Sequence, residues 1–150
     1  MITSKEIDSK YTIVNNLPVF IVDDDSDERY PVKEVWKELE LKNSLRFFND
    51  AEEILSYIKT GSDVPFIIIS DVNLPKIDGF ELRQMLIDDE SAKYKSIPFI
   101  FWSGKASIAQ IKKAYDLLAH GFFIKEETME EMKKTFVTII EYWLKSKSPK

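Results

Sequence analysis

Along the chain, short continuous apolar runs alternate with stretches whose apolar residues recur at helical spacing. Runs rich in β-branched and aromatic residues read as strands covered on both faces of a sheet. Five are predicted: Val19–Val22 after Pro18, a short one at Ser44–Phe48, a central one at Phe66–Ile69, Ile97–Trp102 and Phe122–Lys125. Between them lie apolar positions at helical period. Val32, Val35, Trp36 and Leu39 predict a first helix ending near Leu41, with Pro31 near its start because an interior proline is disfavoured. Ala51, Ile54, Leu55 and Ile58 predict a second, stopped by Gly61. Leu82, Met85 and Leu86 predict a third, capped by Asp78 and fading in the polar stretch Asp88–Ser96. Ile108, Ile111, Tyr115 and Leu118 stripe a fourth, and Met132, Phe136, Ile139, Ile140 and Trp143 a long fifth.

Such alternation favours an α/β fold, with a parallel sheet and helices on both faces. There is no internal repeat and no linker to a second domain. The expected organisation is a polar lead-in over residues 1–16, one domain over 17–145 and a polar tail over 146–150.

Composition narrows the classes of function. The 150 residues are 44% hydrophobic and 13% aromatic, enough for one sizeable core. A net charge of −5 argues against nucleic acid or an anionic membrane as partner. Without cysteine there is no disulfide, thiolate nucleophile or cysteine metal site. No run approaches the ~20 apolar residues of a membrane helix, and the first residues lack a signal-peptide core. A cytoplasmic domain is expected.

The strand ends carry the chemistry. The first run finishes in Asp23, Asp24 and Asp25, the third in Ser70 and Asp71, the fourth in Ser103 and Gly104, and the fifth in Lys125. In open α/β sheets, ligands bind at that edge. If Asp23, Asp24 and Asp71 converge, their repulsion demands a cation, and oxygen ligands alone suit Mg²⁺. A carboxylate beside Mg²⁺ can attack phosphorus, with Lys125 holding phosphoryl charge and the Ser103 hydroxyl donating to another oxygen. Blander readings stand beside these: a helix-capping acidic loop, a turn-forming Asp71, Ser103 as a cap and Lys125 as a surface lysine. His120, the only histidine, reads as a turn residue beside Gly121.

The motifs VDDD at Val22–Asp25, SDVNLPKIDGF at Ser70–Phe80, FWSG at Phe101–Gly104 and FFIK at Phe122–Lys125 occur in this order. Over about residues 18–144 the chain resembles the receiver domains of two-component response regulators. That resemblance implies a flavodoxin-like, doubly wound five-stranded parallel sheet of order 2-1-3-4-5. It implies that Asp71 accepts phosphate from a sensor histidine kinase or histidine phosphotransfer protein. By the same resemblance, Asp23 and Asp24 bind Mg²⁺, the backbone carbonyl of Asn73 completes the metal shell, Ser103 is the switch hydroxyl, Lys125 contacts the phosphoryl group and Phe122 is the aromatic switch. The signal would pass by changed binding to a downstream protein, through the fourth helix, fifth strand and fifth helix, with the domain standing alone as a monomer or weak dimer.

Two positions depart from the family pattern. Glu126 stands where the family has proline joined by a cis bond, so a trans bond is expected here. Phe122 stands where tyrosine is commoner. Two other functions stay open: a pseudo-receiver that binds without being phosphorylated, and a phosphatase resembling the haloacid dehalogenase class. The phosphatase needs a further acidic pair at another strand end; after Lys125 only Glu126, Glu127, Glu130 and Glu131 follow.

Overall fold

The computed structural model describes residues 17–41, 43–61, 64–90 and 93–146. The lead-in expected over 1–16, and all of the tail but Ser146, lie outside the described residues. Strands β1 (Val19–Val22), β2 (Leu45–Phe48), β3 (Ile67–Ser70), β4 (Phe99–Ser103) and β5 (Gly121–Ile124) alternate with helices α1 (Arg29–Leu39), α2 (Ala51–Thr60), α3 (Gly79–Asp88), α4 (Ile108–Asp116) and α5 (Met129–Lys145). A 3-10 turn, Ser26–Glu28, leads into α1. The strands form a single parallel sheet of order β2-β1-β3-β4-β5.

Side-chain alternation along each strand sorts the core into two layers. Val19, Ile21, Ile67, Ile69, Ile100 and Trp102 face one way, against α1 and α5. Phe20, Val22, Ile68, Phe99 and Phe101 face the other, against α2, α3 and α4. Each of these large side chains contributes roughly 1.5–3 kcal/mol by burial, more than an exposed ion pair such as Lys134–Glu131 supplies. Two apolar layers therefore hold the sheet, and its carboxyl edge is left to polar residues.

The helices begin where the sequence puts capping residues. Asp78 accepts from the Glu81 N–H at 2.8 Å while Glu81 returns a bond to the Asp78 N–H at 3.1 Å. Ser107 and Gln110 form the same reciprocal pair at the start of α4.

Two helices depart in part from the sequence expectation. In α3 Leu82 and Leu86 are buried as expected, but Met85 is outside and Arg83 is buried. Of the stripe expected for α4, Ile108 is 87% exposed, Tyr115 54% and Leu118, just past the helix end, 62%, while Ile111 is half-buried. The helix seats itself on Ala114, whose small side chain lets it approach the sheet, so Ile108 and Tyr115 face away.

Candidate functional site

Register assembles the site. Val22 pairs with Ser70, so the next residues, Asp23 and Asp71, leave the sheet side by side. Ser103 pairs with Ile124, and the Lys125 N–H continues that ladder to the Ser103 carbonyl at 2.8 Å. The carboxyl ends of β1, β3, β4 and β5 thereby bring acid, acid, hydroxyl and amine to one edge.

The acids meet. Asp23, Asp24 and Asp71 each offer an oxygen within 4.8 Å of the others, with Asp23 and Asp71 buried and Asp24 exposed. Hard oxygen donors at that spacing fit a divalent cation of the Mg²⁺ kind. The Asp71 Oδ1 accepts from the Asn73 N–H at 3.1 Å, which brings Asn73 to the same rim. Gly79 allows this loop to close: a Cβ there would lie 2.2 Å from the Asp71 carbonyl oxygen. Its N–H instead donates to the Val72 carbonyl at 2.8 Å.

Lys125 bridges the cluster. Its Nζ donates to Asp23 Oδ2 at 2.7 Å and to Asp71 Oδ2 at 3.0 Å, and pairs with Glu28 Oε1 at 3.2 Å. Its ammonium also lies 5.0 Å from the centre of the Trp102 ring. Burial disfavours the lysine's charge, but the hydrogen bonds and fields of Asp23 and Asp71 outweigh it and raise its pKa well above the ordinary value. For Asp23 the balance falls the other way. Its burial pushes the carboxyl up, and the bonds from Lys125 and the Asp25 N–H only partly offset that.

Ser103 adjoins this cluster through the Lys125 N–H bond to its carbonyl, while Phe122 lies on β5, three positions before Lys125. Ser103 is buried, and its hydroxyl donates to the Lys105 carbonyl at 2.9 Å. Phe122 is half-buried against Phe101, ring centres 5.8 Å apart. The Lys125–Glu126 bond is trans, as expected, and Glu126 accepts a hydrogen bond from Thr135 on α5. His120 lies in the turn before β5, its Nδ1 accepting from the Phe99 N–H at 3.0 Å.

Glu28 was not singled out in the sequence, where it merges with the acidic loop. Its signal is the turn itself: Asp25 caps Ser26–Glu28, and the turn carries Glu28 back over the sheet edge.

The family profile described as "Response regulator receiver domain" matches residues 19–137. Chemotaxis protein CheY-3 of Vibrio cholerae is 29% identical over 126 residues, covering 84% of this chain and 93% of its own. Among solved structures, the phosphorylated cyanobacterial phytochrome response regulator RcpA superposes with a TM-score of 0.80 at 23% identity, covering 90% of this chain and 99% of its own. The Mn²⁺-bound form of response regulator Rcp1 superposes with a TM-score of 0.77 at 21% identity, covering 89% and 99%.

Proposed function

The chain belongs to the response regulator receiver domain family, and we propose that Asp71 is its phosphoacceptor, taking phosphate from the phosphohistidine of a sensor kinase or phosphotransfer protein. The observation that carries this reading is the meeting of Lys125 with Asp71 and Asp23 at one sheet edge. Mg²⁺, held by Asp23, Asp24, Asp71 and the backbone carbonyl of Asn73, would supply positive charge against the phosphoryl oxygens. The Rcp1 structure, with Mn²⁺, is a precedent in the same fold.

In the transfer, an Asp71 carboxylate oxygen forms a bond to phosphorus as the donor's P–N bond breaks, and the imidazole leaves with that electron pair. Lys125 gives up Asp71 Oδ2 and donates to a phosphoryl oxygen. Ser103 exchanges the Lys105 carbonyl for a second phosphoryl oxygen, and Phe122 follows into the space beside it. Attack of water on phosphorus returns the carboxylate, so the domain catalyses only its own modification and recovery.

The signal then leaves through the outer face of α4, β5 and α5. Ile108, Tyr115, Leu118, Ile124 and Met129 are all exposed there. Patches of this kind mark protein partners. The net charge of −5 speaks against nucleic acid as that partner. Among the described residues no helix is long and apolar enough to cross a membrane. A cytoplasmic location is part of the proposal and rests on the kinase partner proposed above.

Glu126 was the reason to consider a pseudo-receiver. With a trans bond before it, Lys125 still lies 3.0 Å from Asp71, which favours the phosphoacceptor reading. Incubation with acetyl phosphate and Mg²⁺ is expected to add one hydroxylamine-sensitive phosphoryl group, absent in Asp71→Asn. Unmodified wild-type protein, or equal labelling of the variant, would overturn the assignment.

A further inference from the structure

Glu28 has no local task. It occupies the N-cap position of α1, yet its side chain makes no capping bond to the helix. The carboxylate reaches across the sheet edge to Lys125, at 3.2 Å, and is about three-quarters buried doing so. Nor does it belong to the acid cluster. The oxygens within 4.8 Å of one another come from Asp23, Asp24 and Asp71. Glu28 is thus a partner of the lysine alone.

Lys125 Nζ spends two of its three N–H donors on Asp23 and Asp71, and Glu28 stands against it as an ion-pair partner at 3.2 Å. A phosphoryl oxygen approaching the lysine therefore meets an ammonium already drawn to a third carboxylate. Asp71 is itself changed on phosphorylation, and a cation draws on the charge of Asp23. Glu28 alone keeps its full negative charge beside the lysine. On the reading of Asp71 as phosphoacceptor, we infer that Glu28 is a positioning residue that competes with the phosphoryl oxygens for Lys125, weakening the grip on the phosphoryl group. Its charge also strengthens the pull on the cation, so the two affinities move in opposite directions when it is removed.

Calorimetric titration with Mg²⁺ alone, then with beryllofluoride in saturating Mg²⁺ as the phosphoryl mimic, tests this. Loss of one such ion pair is worth roughly three- to five-fold in affinity. Glu28→Gln is expected to bind beryllofluoride tighter by that factor and Mg²⁺ more weakly, with Glu28→Ala behaving alike. A merely structural role would weaken both. Asp27→Asn removes one charge from the same turn at a residue that is not among the three carboxylates on Lys125, and is expected to change neither affinity by more than about 1.5-fold, since exposed charges interact weakly.

Equal beryllofluoride binding by wild type and Glu28→Gln, or an equal gain in Asp27→Asn, would overturn the role of Glu28 and leave Asp71 as acceptor untouched. Wild-type protein that ignores beryllofluoride in Mg²⁺ would overturn both.

Discussion

The Lys125 ammonium lies 3.0 Å from an Asp71 carboxylate oxygen, although 54 positions separate the two residues along the chain. Parallel register brings them together, and the charge balance of the pair makes the site measurable.

Lys125→Met leaves Asp23, Glu28 and Asp71 without their shared cation. Removing one partner of a largely buried ion pair costs about 3–5 kcal/mol, most of it from the charges left behind. The variant is expected to unfold at lower urea than wild type, and millimolar Mg²⁺ is expected to restore most of the difference. Paired urea titrations with and without Mg²⁺ read this directly.

Asp23→Asn should act in the opposite sense. Burial raises the Asp23 carboxyl above its ordinary 3.8, so folding favours its protonated form. That contribution is fully present below the unfolded value and is lost as pH rises through the folded one. At pH 7 without divalent ions, the asparagine variant is expected to be more stable than wild type. The gap should narrow as pH falls into the range where Asp23 takes up a proton, and the variant should lose the Mg²⁺ stabilisation. Urea midpoints across pH 4–8 would show the trend; a gap that widens on acidification contradicts it.

Gly79→Ala would push a methyl group against the backbone that carries Asp71. The added carbon meets the Asp71 carbonyl oxygen at 2.2 Å, the Val72 Cα at 3.0 Å and Phe101 at 3.1 Å. Overpacking of this sort costs about 1–3 kcal/mol. Because the strain falls on the backbone of Asp71, the proposed acceptor, labelling by acetyl phosphate is expected to drop in the fraction that remains folded, which urea unfolding and mass analysis together would separate.

Arg83 ties α3 to the end of α4. Its Nε donates to the Leu117 carbonyl at 3.0 Å and its Nη2 to the Leu118 carbonyl at 2.9 Å, with the guanidinium 5.3 Å from the Phe99 ring centre. Arg83→Met strands two carbonyls and is expected to cost about 2–3 kcal/mol. Arg83→Lys should recover less than half, because an ammonium cannot reproduce the fork. Faster amide exchange confined to residues 117–121 would show that the loss is local to this junction.

The sheet was legible in the sequence because parallel strands covered on both faces need unbroken apolar runs, as at Ile67–Ile69 and Phe99–Trp102. The same logic exposed the strand ends, where Asp23, Asp71 and Lys125 interrupt apolar stretches. Helix faces were harder. Periodicity marks an apolar stripe without saying whether core or partner covers it, so Ile108, Tyr115 and Leu118 read as core while Ala114 does the packing. Arg83 was hidden because burial of a guanidinium depends on carbonyls 34 and 35 positions away. Glu28 was hidden because a run of acids does not reveal which one a turn will swing inward.

Through Glu126, the loop that carries Lys125 is moored to Thr135 on α5 rather than only to the sheet. Whatever protein grips α5 therefore holds a line that ends at the ammonium. On the proposed reading, a protein bound at α5 and a phosphoryl group on Asp71 would each bias the same loop, and each affinity would depend on the other.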